Sequence, residues 1–165
     1  MKYKVTKVQN VSKSCIVCGI ENDLGLHTNF YELESGDIVS LSNTKEWHQS
    51  YPGRVHGGII TAILDETIGR AVSVNNDDIW GVTISIEVQF KKPVPLDETI
   101  KCIGRITTEN RKLFEGTGEI ILKDGTVAAK AHGKYMKMPV GKITDADFEE
   151  EWIPVTENDI QYIEI

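Results

Sequence analysis

The residues best suited to chemistry lie in one stretch, His48 to Arg70, which reads HQSYPGRVHGGIITAILDETIGR. Pro52 and Gly53 break its first part into a loop. After His56 come Gly57 and Gly58, then an apolar run with no further breaker until Gly69. That pattern predicts a helix starting at Gly57 or Gly58. Glycine lets another group approach the backbone closely, and the first turn of a helix leaves N–H groups without partners. Those amides, at the positive end of the helix dipole, can receive a carbonyl oxygen or an oxyanion. Eight residues beyond Gly57 stands Asp65, with no basic residue three or four positions away on either side. A carboxylate within an apolar surface is costly unless it is paired or used, so Asp65 is the first candidate for chemistry. Glu66 differs, because Arg70 lies four residues on, at ion-pair spacing.

These groups need a helix to carry them and a scaffold to hold it. Ile59, Ile60, Ala62, Ile63, Leu64, Ile68, Ala71, Val72 and Val74 cover most of the helix circumference, the mark of a buried central helix. Its end is expected near Asn75–Asn76. Two strands, 26–33 and 37–44, precede it, joined by the turn ESGD. After it, Trp80, Val82, Ile84, Ile86, Val88 and Phe90 alternate with small or polar residues, which predicts a strand with that row buried. Three more strands are expected at about 99–109, 113–123 and 126–137, with Asp124-Gly125 as a hairpin turn. Gly116 and Gly118 fall on the inward row of the second, where they would let a sheet bend closely around a helix. The expectation is an α+β fold, a curved antiparallel sheet wrapped around one long central helix. Residues 1–25 read as an N-terminal segment, with 1–14 a short strand or loose arm and a CxxC turn following. Residues 26–139 read as the main domain and 140–165 as an acidic appended surface segment.

At 165 residues one domain is the default. The net charge of −7 argues against non-specific nucleic-acid binding. No apolar run approaches the roughly 20 residues of a membrane span, and the first residues form no signal-peptide core; no membrane partner and a cytoplasmic location are expected. Three cysteines make no disulfide framework. Cys15 and Cys18 form a lone CxxC, and neither Cys102 nor the four histidines supply a second ligand pair. No metal and no cofactor are therefore expected, and Cys102 reads as a core thiol.

The segment HGGIITAILDE resembles the signature of PaaI-type hotdog-fold acyl-CoA thioesterases, in which a His-Gly-Gly turn leads into a central helix bearing an acid eight positions after the first glycine. HQSYPG and GVTISIEVQFKKPVP are similar to family segments as well, and the resemblance covers roughly residues 15–138. It implies a hotdog fold and hydrolysis of acyl-CoA, with Asp65 as general base or nucleophile and the Gly57 amide as oxyanion hole. It also implies that Thr83 helps to position the water, and that Gln49 or Ser50, where the family often places Asn, contacts the substrate beside His56 and Gly58. On residue type alone Thr83 reads equally as a solvated strand residue, and His56 more simply as a residue that hydrogen-bonds its own loop. Arg54, Lys91, Lys92, Arg111 and Lys112 are the cations available to coenzyme A phosphates. Trp47 and Tyr51 are expected in the core rather than along an acyl channel.

Helix geometry adds a constraint. Eight residues at about 1.5 Å each separate Gly57 and Asp65 by roughly 12 Å, too far for one thioester to meet both in one chain. A two-fold partner with its helix antiparallel would bring Asp65 of one subunit to Gly57 of the other. A homodimer, or a dimer of dimers as hotdog proteins similarly form, is expected. A hotdog module that binds acyl-CoA without turning it over is the alternative, and it would have no need of Asp65. A hydratase is disfavoured, since those enzymes place an Asp/His pair differently.

Overall fold

The computed structural model describes residues 1–74, 76–156 and 158–165. One central helix, α1 (Gly57–Arg70), lies against a large antiparallel sheet, and a 3-10 turn, Ala71–Val74, extends it. The expected helix end at Asn75 lies outside the described residues; the α-helical hydrogen bonding stops at Arg70. The strands are β1 (Lys2–Val8), β2 (Val11–Ser12), β3 (Asn29–Leu33), β4 (Ile38–Asn43), β5 (Trp80–Phe90), β6 (Thr99–Glu109), β7 (Leu113–Ile121), β8 (Val127–Met138), β9 (Trp152–Ile153) and β10 (Tyr162–Glu164), with a one-turn helix, α2 (Phe148–Glu151), before β9. Eight of the strands form one sheet in the order β10-β1-β3-β4-β6-β7-β8-β5, and β2 pairs with β9. This is the α+β hotdog architecture. Among the described residues no helix is long and apolar enough to cross a membrane.

The core sits where sheet meets helix. Ile60, Ile63, Leu64 and Ile68 of α1 pack with Phe30, Ile38, Phe114 and Ile120. Gly116 and Gly118 make that approach possible, since a Cβ at Gly116 would lie 2.6 Å from Ile68 Cγ2 and one at Gly118 3.1 Å from Leu64 Cδ2. The terminal segments contribute more than their composition suggests. β1 pairs with β3, and β10 pairs with β1. Ile163 of β10 joins Tyr31, Leu33, Val39 and Ile103 in a second apolar cluster. The residues from 140 onward are therefore partly built into the sheet rather than laid on its surface, because β3 and β4 have a second apolar row that needs a cover.

β5 departs from the expected simple alternation. Its pairing with β8 shifts between Thr83 and Ser85, which marks a β-bulge at Ile84. Such a bulge re-phases the strand. Ahead of it Gly81 and Thr83 face α1, and beyond it Ile86 and Val88 join the core. Trp80 stands outside that core and meets Phe148 and Trp152 edge-on. Ile84 is 50% and Phe90 55% exposed, and Trp80, Val82, Ile86 and Val88 are half-buried, so the row read as wholly buried is only partly so. Trp47 and Tyr51 are also exposed, at 50% and 78%, not in the core.

Candidate active site

The fold separates the candidate residues into two groups on one helix. At the N-terminus of α1 stand His56, Gly57 and Gly58, with Gln49 and Ser50 in the loop just before them. The loop is anchored from both sides, for His56 N–H donates to the His48 carbonyl and Val55 N–H to that of Val94. His56 is the N-cap, its Nδ1 accepting from Gly58 N–H at 2.9 Å. The Gly58 amide is thus already engaged, and the loop-holding role of His56 is what the hydrogen bonding displays. The Gly57 N–H has no partner among the described residues. Gln49 is exposed and turns its Oε1 to Gly53 N–H at 2.9 Å, and Ser50 is exposed beside it. Lys91 and Lys92 follow β5 at this end of the sheet, whereas Arg111 and Lys112 sit at the β6–β7 turn, at the opposite end.

About two turns beyond the Gly57 end comes the second group. Asp65 is half-buried, and its Oδ1 accepts from Thr83 Oγ1 at 2.9 Å and lies 3.1 Å from the Tyr135 hydroxyl. Its other oxygen carries no protein hydrogen bond, and the carboxylate makes no ion pair, among the described residues. The bulge at Ile84 lets the exposed Thr83 reach α1. Gly81 lets the strand come close enough for the contact, since a Cβ there would lie 2.7 Å from the Gly69 carbonyl oxygen. Burial, reinforced by the negative Asp65, pushes the Tyr135 hydroxyl well above the ordinary tyrosine range, so the phenol keeps its proton and remains a donor. Tyr135 was not evident in the sequence. Its ring lies parallel to Phe114, centroids 4.9 Å apart, over the space left by Gly133, where a Cβ would clash at 2.5 Å. A glycine two residues before an inward tyrosine is the one local signal.

Asp65 and Thr83 line a cleft of about 350 Å³ whose other walls include Gly81, Cys15, Glu66, Val140, Phe148 and Trp152. Glu66, adjacent in sequence, points toward the CxxC turn. Arg70 holds its Oε1 through Nε at 2.9 Å and an Nη at 2.8 Å. All three cysteines are free, and burial pushes the Cys102 thiol up to about 12.

A central helix wrapped by a curved antiparallel sheet, with a carboxylate held by two neutral donors about two turns along it, defines the class: a hotdog domain. The thioesterase superfamily profile matches residues 52–129. Over 116 residues the chain is 30% identical to SSO2140 of Saccharolobus solfataricus, covering 67% of this chain and 78% of that one. It is 27% identical over 137 residues to the acyl-coenzyme A thioesterase THEM4 of Mus musculus, covering 82% of this chain and 56% of that one. It therefore spans little more than half the length of that relative. A solved thioesterase superfamily protein superposes with a TM-score of 0.69 at 25% identity, over 76% of this chain and 61% of its own. The chain belongs to the thioesterase superfamily.

Proposed function

We propose that this chain hydrolyses acyl-CoA thioesters to a free acid and coenzyme A, in a site completed across a homodimer. The observation that carries the reading is the pair of unsatisfied groups on α1, the Gly57 amide and the second oxygen of Asp65, at opposite ends of one ~12 Å span. A partner with its α1 antiparallel supplies the missing half of each, giving two equal sites, and a dimer of dimers would leave them unaltered. β5 favours this arrangement, being a free edge of the sheet with Ile84 and Phe90 exposed along it.

In that site the thioester oxygen accepts from the partner's Gly57 amide at the positive end of the helix, which stabilises the oxyanion as it forms. Asp65 takes a proton from the attacking water, or attacks the carbonyl itself to give a mixed anhydride that water then opens. Thr83 and the protonated Tyr135 both bind Oδ1, fixing the carboxylate's direction and leaving its other oxygen to act. The leaving group is the coenzyme A thiolate. Gln49, bridged to Val55 two residues before Gly57, and Ser50 beside it would meet the entering thioester. Lys91, Lys92 and Arg54 lie at the same end, where phosphates would be received, and Arg111 and Lys112 do not.

The test is a panel of short, long and aromatic acyl-CoAs assayed with a thiol-trapping reagent. Release of coenzyme A from at least one class, lost in Asp65→Asn, supports the reading. Tight binding of acyl-CoA with no release would instead make the chain a non-catalytic binding module.

A further inference from the structure

The CxxC turn gains in three dimensions a ligand that sequence spacing did not supply. Cys15 Sγ, Cys18 Sγ and one carboxylate oxygen of Glu66 all lie within 4.8 Å of one another. Cys15 Sγ stands 3.3 Å from Glu66 Oε2. Ligands on a tetrahedral zinc ion, with metal–sulfur bonds of about 2.3 Å and metal–oxygen bonds of about 2.1 Å, stand roughly 3.6–3.8 Å apart. We propose that Cys15, Cys18 and Glu66 form a site for a thiophilic divalent cation of the zinc class, with one coordination position open toward the cleft.

The groups around the triad are arranged as a metal's outer ligands are. Val17 N–H donates to Cys15 Sγ at 3.3 Å, and Ser12 N–H to Cys18 Sγ at 3.3 Å. Arg70 donates to Cys18 Sγ at 3.2 Å. Hydrogen bonds donated to sulfur favour the deprotonated, ligating form and orient it. The turn that presents the two sulfurs has a glycine behind it, because a Cβ on Gly19 would lie 2.3 Å from the Cys15 carbonyl oxygen. Glu66 divides its two oxygens between tasks. Oε1 is held by Arg70, and Oε2 faces the thiols. Arg70 thus positions the carboxylate without occupying the oxygen that a metal would take.

Charge supports the same assignment. In the metal-free chain the Glu66 carboxylate is paired with Arg70. Loading a divalent cation releases the two thiol protons, and two thiolates, one carboxylate, one guanidinium and the cation then sum to zero. Affinity should therefore rise with pH, since ligation displaces protons. The site would tie the N-terminal turn to the helix that carries Asp65, from the wall of the same cleft. It stands on the geometry of these residues and is independent of the thioesterase reading.

The direct test is titration of the reduced full-length chain with Co2+, in the presence of a phosphine reductant. The proposal predicts a thiolate-to-cobalt charge-transfer absorption that saturates at one equivalent per chain and is displaced by Zn2+. Cys15→Ser and Cys18→Ser should each abolish it, and Glu66→Gln should weaken binding by at least about tenfold, as loss of an inner ligand exceeds the 10–100-fold cost of outer ones only in degree. Zn2+ protection of the half-buried Cys15 from alkylation, read by peptide mass with buried Cys102 as the internal reference, needs no variant. With both thiols verified as reduced, absence of the band and of protection would overturn the proposal, and so would a band of equal strength in Cys15→Ser.

Discussion

Asp65 and Glu66 are consecutive acids on one helix, yet their surroundings are opposed. Glu66 faces the N-terminal turn and is neutralised, its carboxylate gripped by Arg70, which is itself buried over the Phe30 ring at 4.0 Å. Asp65 faces β5 and β8 and is held by two neutral hydroxyls that orient it, with no cation paired to it among the described residues. The side chain held in the ion pair ties the helix to the N-terminal turn. The one oriented by hydroxyls, with no ion pair among the described residues, lines a cleft and is the acid to which the proposed chemistry is assigned. The difference arises from which neighbour each meets after one residue of helical rotation, and not from acid type.

The strongest way to break this contrast is to exchange the side of the helix that is damaged. Asp65→Asn is nearly isosteric and should leave fold and assembly intact while turnover falls by roughly 10²–10⁴-fold, the size of a general-base contribution. Substrate affinity should change much less. Single-turnover and steady-state rates on the same preparation check this, and an unchanged rate would remove Asp65 from the chemistry. Arg70→Met should do the converse. It strands a carboxylate in a mostly buried pair and should cost about 3–5 kcal/mol of stability, visible as a lower denaturant midpoint. A stable Arg70→Met protein would mean that Glu66 is not the architectural acid described here.

Smaller changes sharpen the picture. Thr83→Val removes one of the two donors to Asp65 and should lower turnover roughly tenfold, in line with a hydrogen bond to a charged group; Thr83→Ser, which keeps the hydroxyl, should recover most of it. Equal rates in the two variants would assign Thr83 to packing. His56→Ala should give the least effect, a loss of about 0.5–2 kcal/mol in stability from the missing N-cap with turnover within a few-fold. A loss of turnover comparable to that of Asp65→Asn would instead place His56 in acid–base work.

Much of this was legible in the chain. Strands 80–90 and 99–109 appear at their expected limits because prolines, turn residues and alternating polarity bound them. The start of α1 follows from the His-Gly-Gly turn. Asp65 was marked by its lack of a basic neighbour, and Glu66 by Arg70. What escaped depended on contacts between distant segments. The bulge at Ile84 cannot be read from an alternation that continues unbroken through it, so the contact of the exposed Thr83 with Asp65 was not legible from the strand pattern. Tyr135 reaches Asp65 from seventy positions away, through space opened by Gly133. Glu66 meets the CxxC turn only because the N-terminal segment docks on the helix. The terminal strands were faint because β9 and β10 have two and three residues, too few to show a period.

The central claim is that Asp65 works with the Gly57 amide of another copy, and subunit complementation tests it most directly. Gly57→Pro deletes the amide at the first helical position, where proline is well tolerated, and the extended backbone of His56, with ψ of 137°, accepts a following proline. Alone, Gly57→Pro and Asp65→Asn should each be severely impaired. Unfolded together in equal amounts and reassembled at random, half of the dimers are mixed, and each has one site with both groups intact. The account predicts recovery to about one quarter of the parent activity. A mixture no more active than its components, with mixed dimers verified by mass, would contradict it.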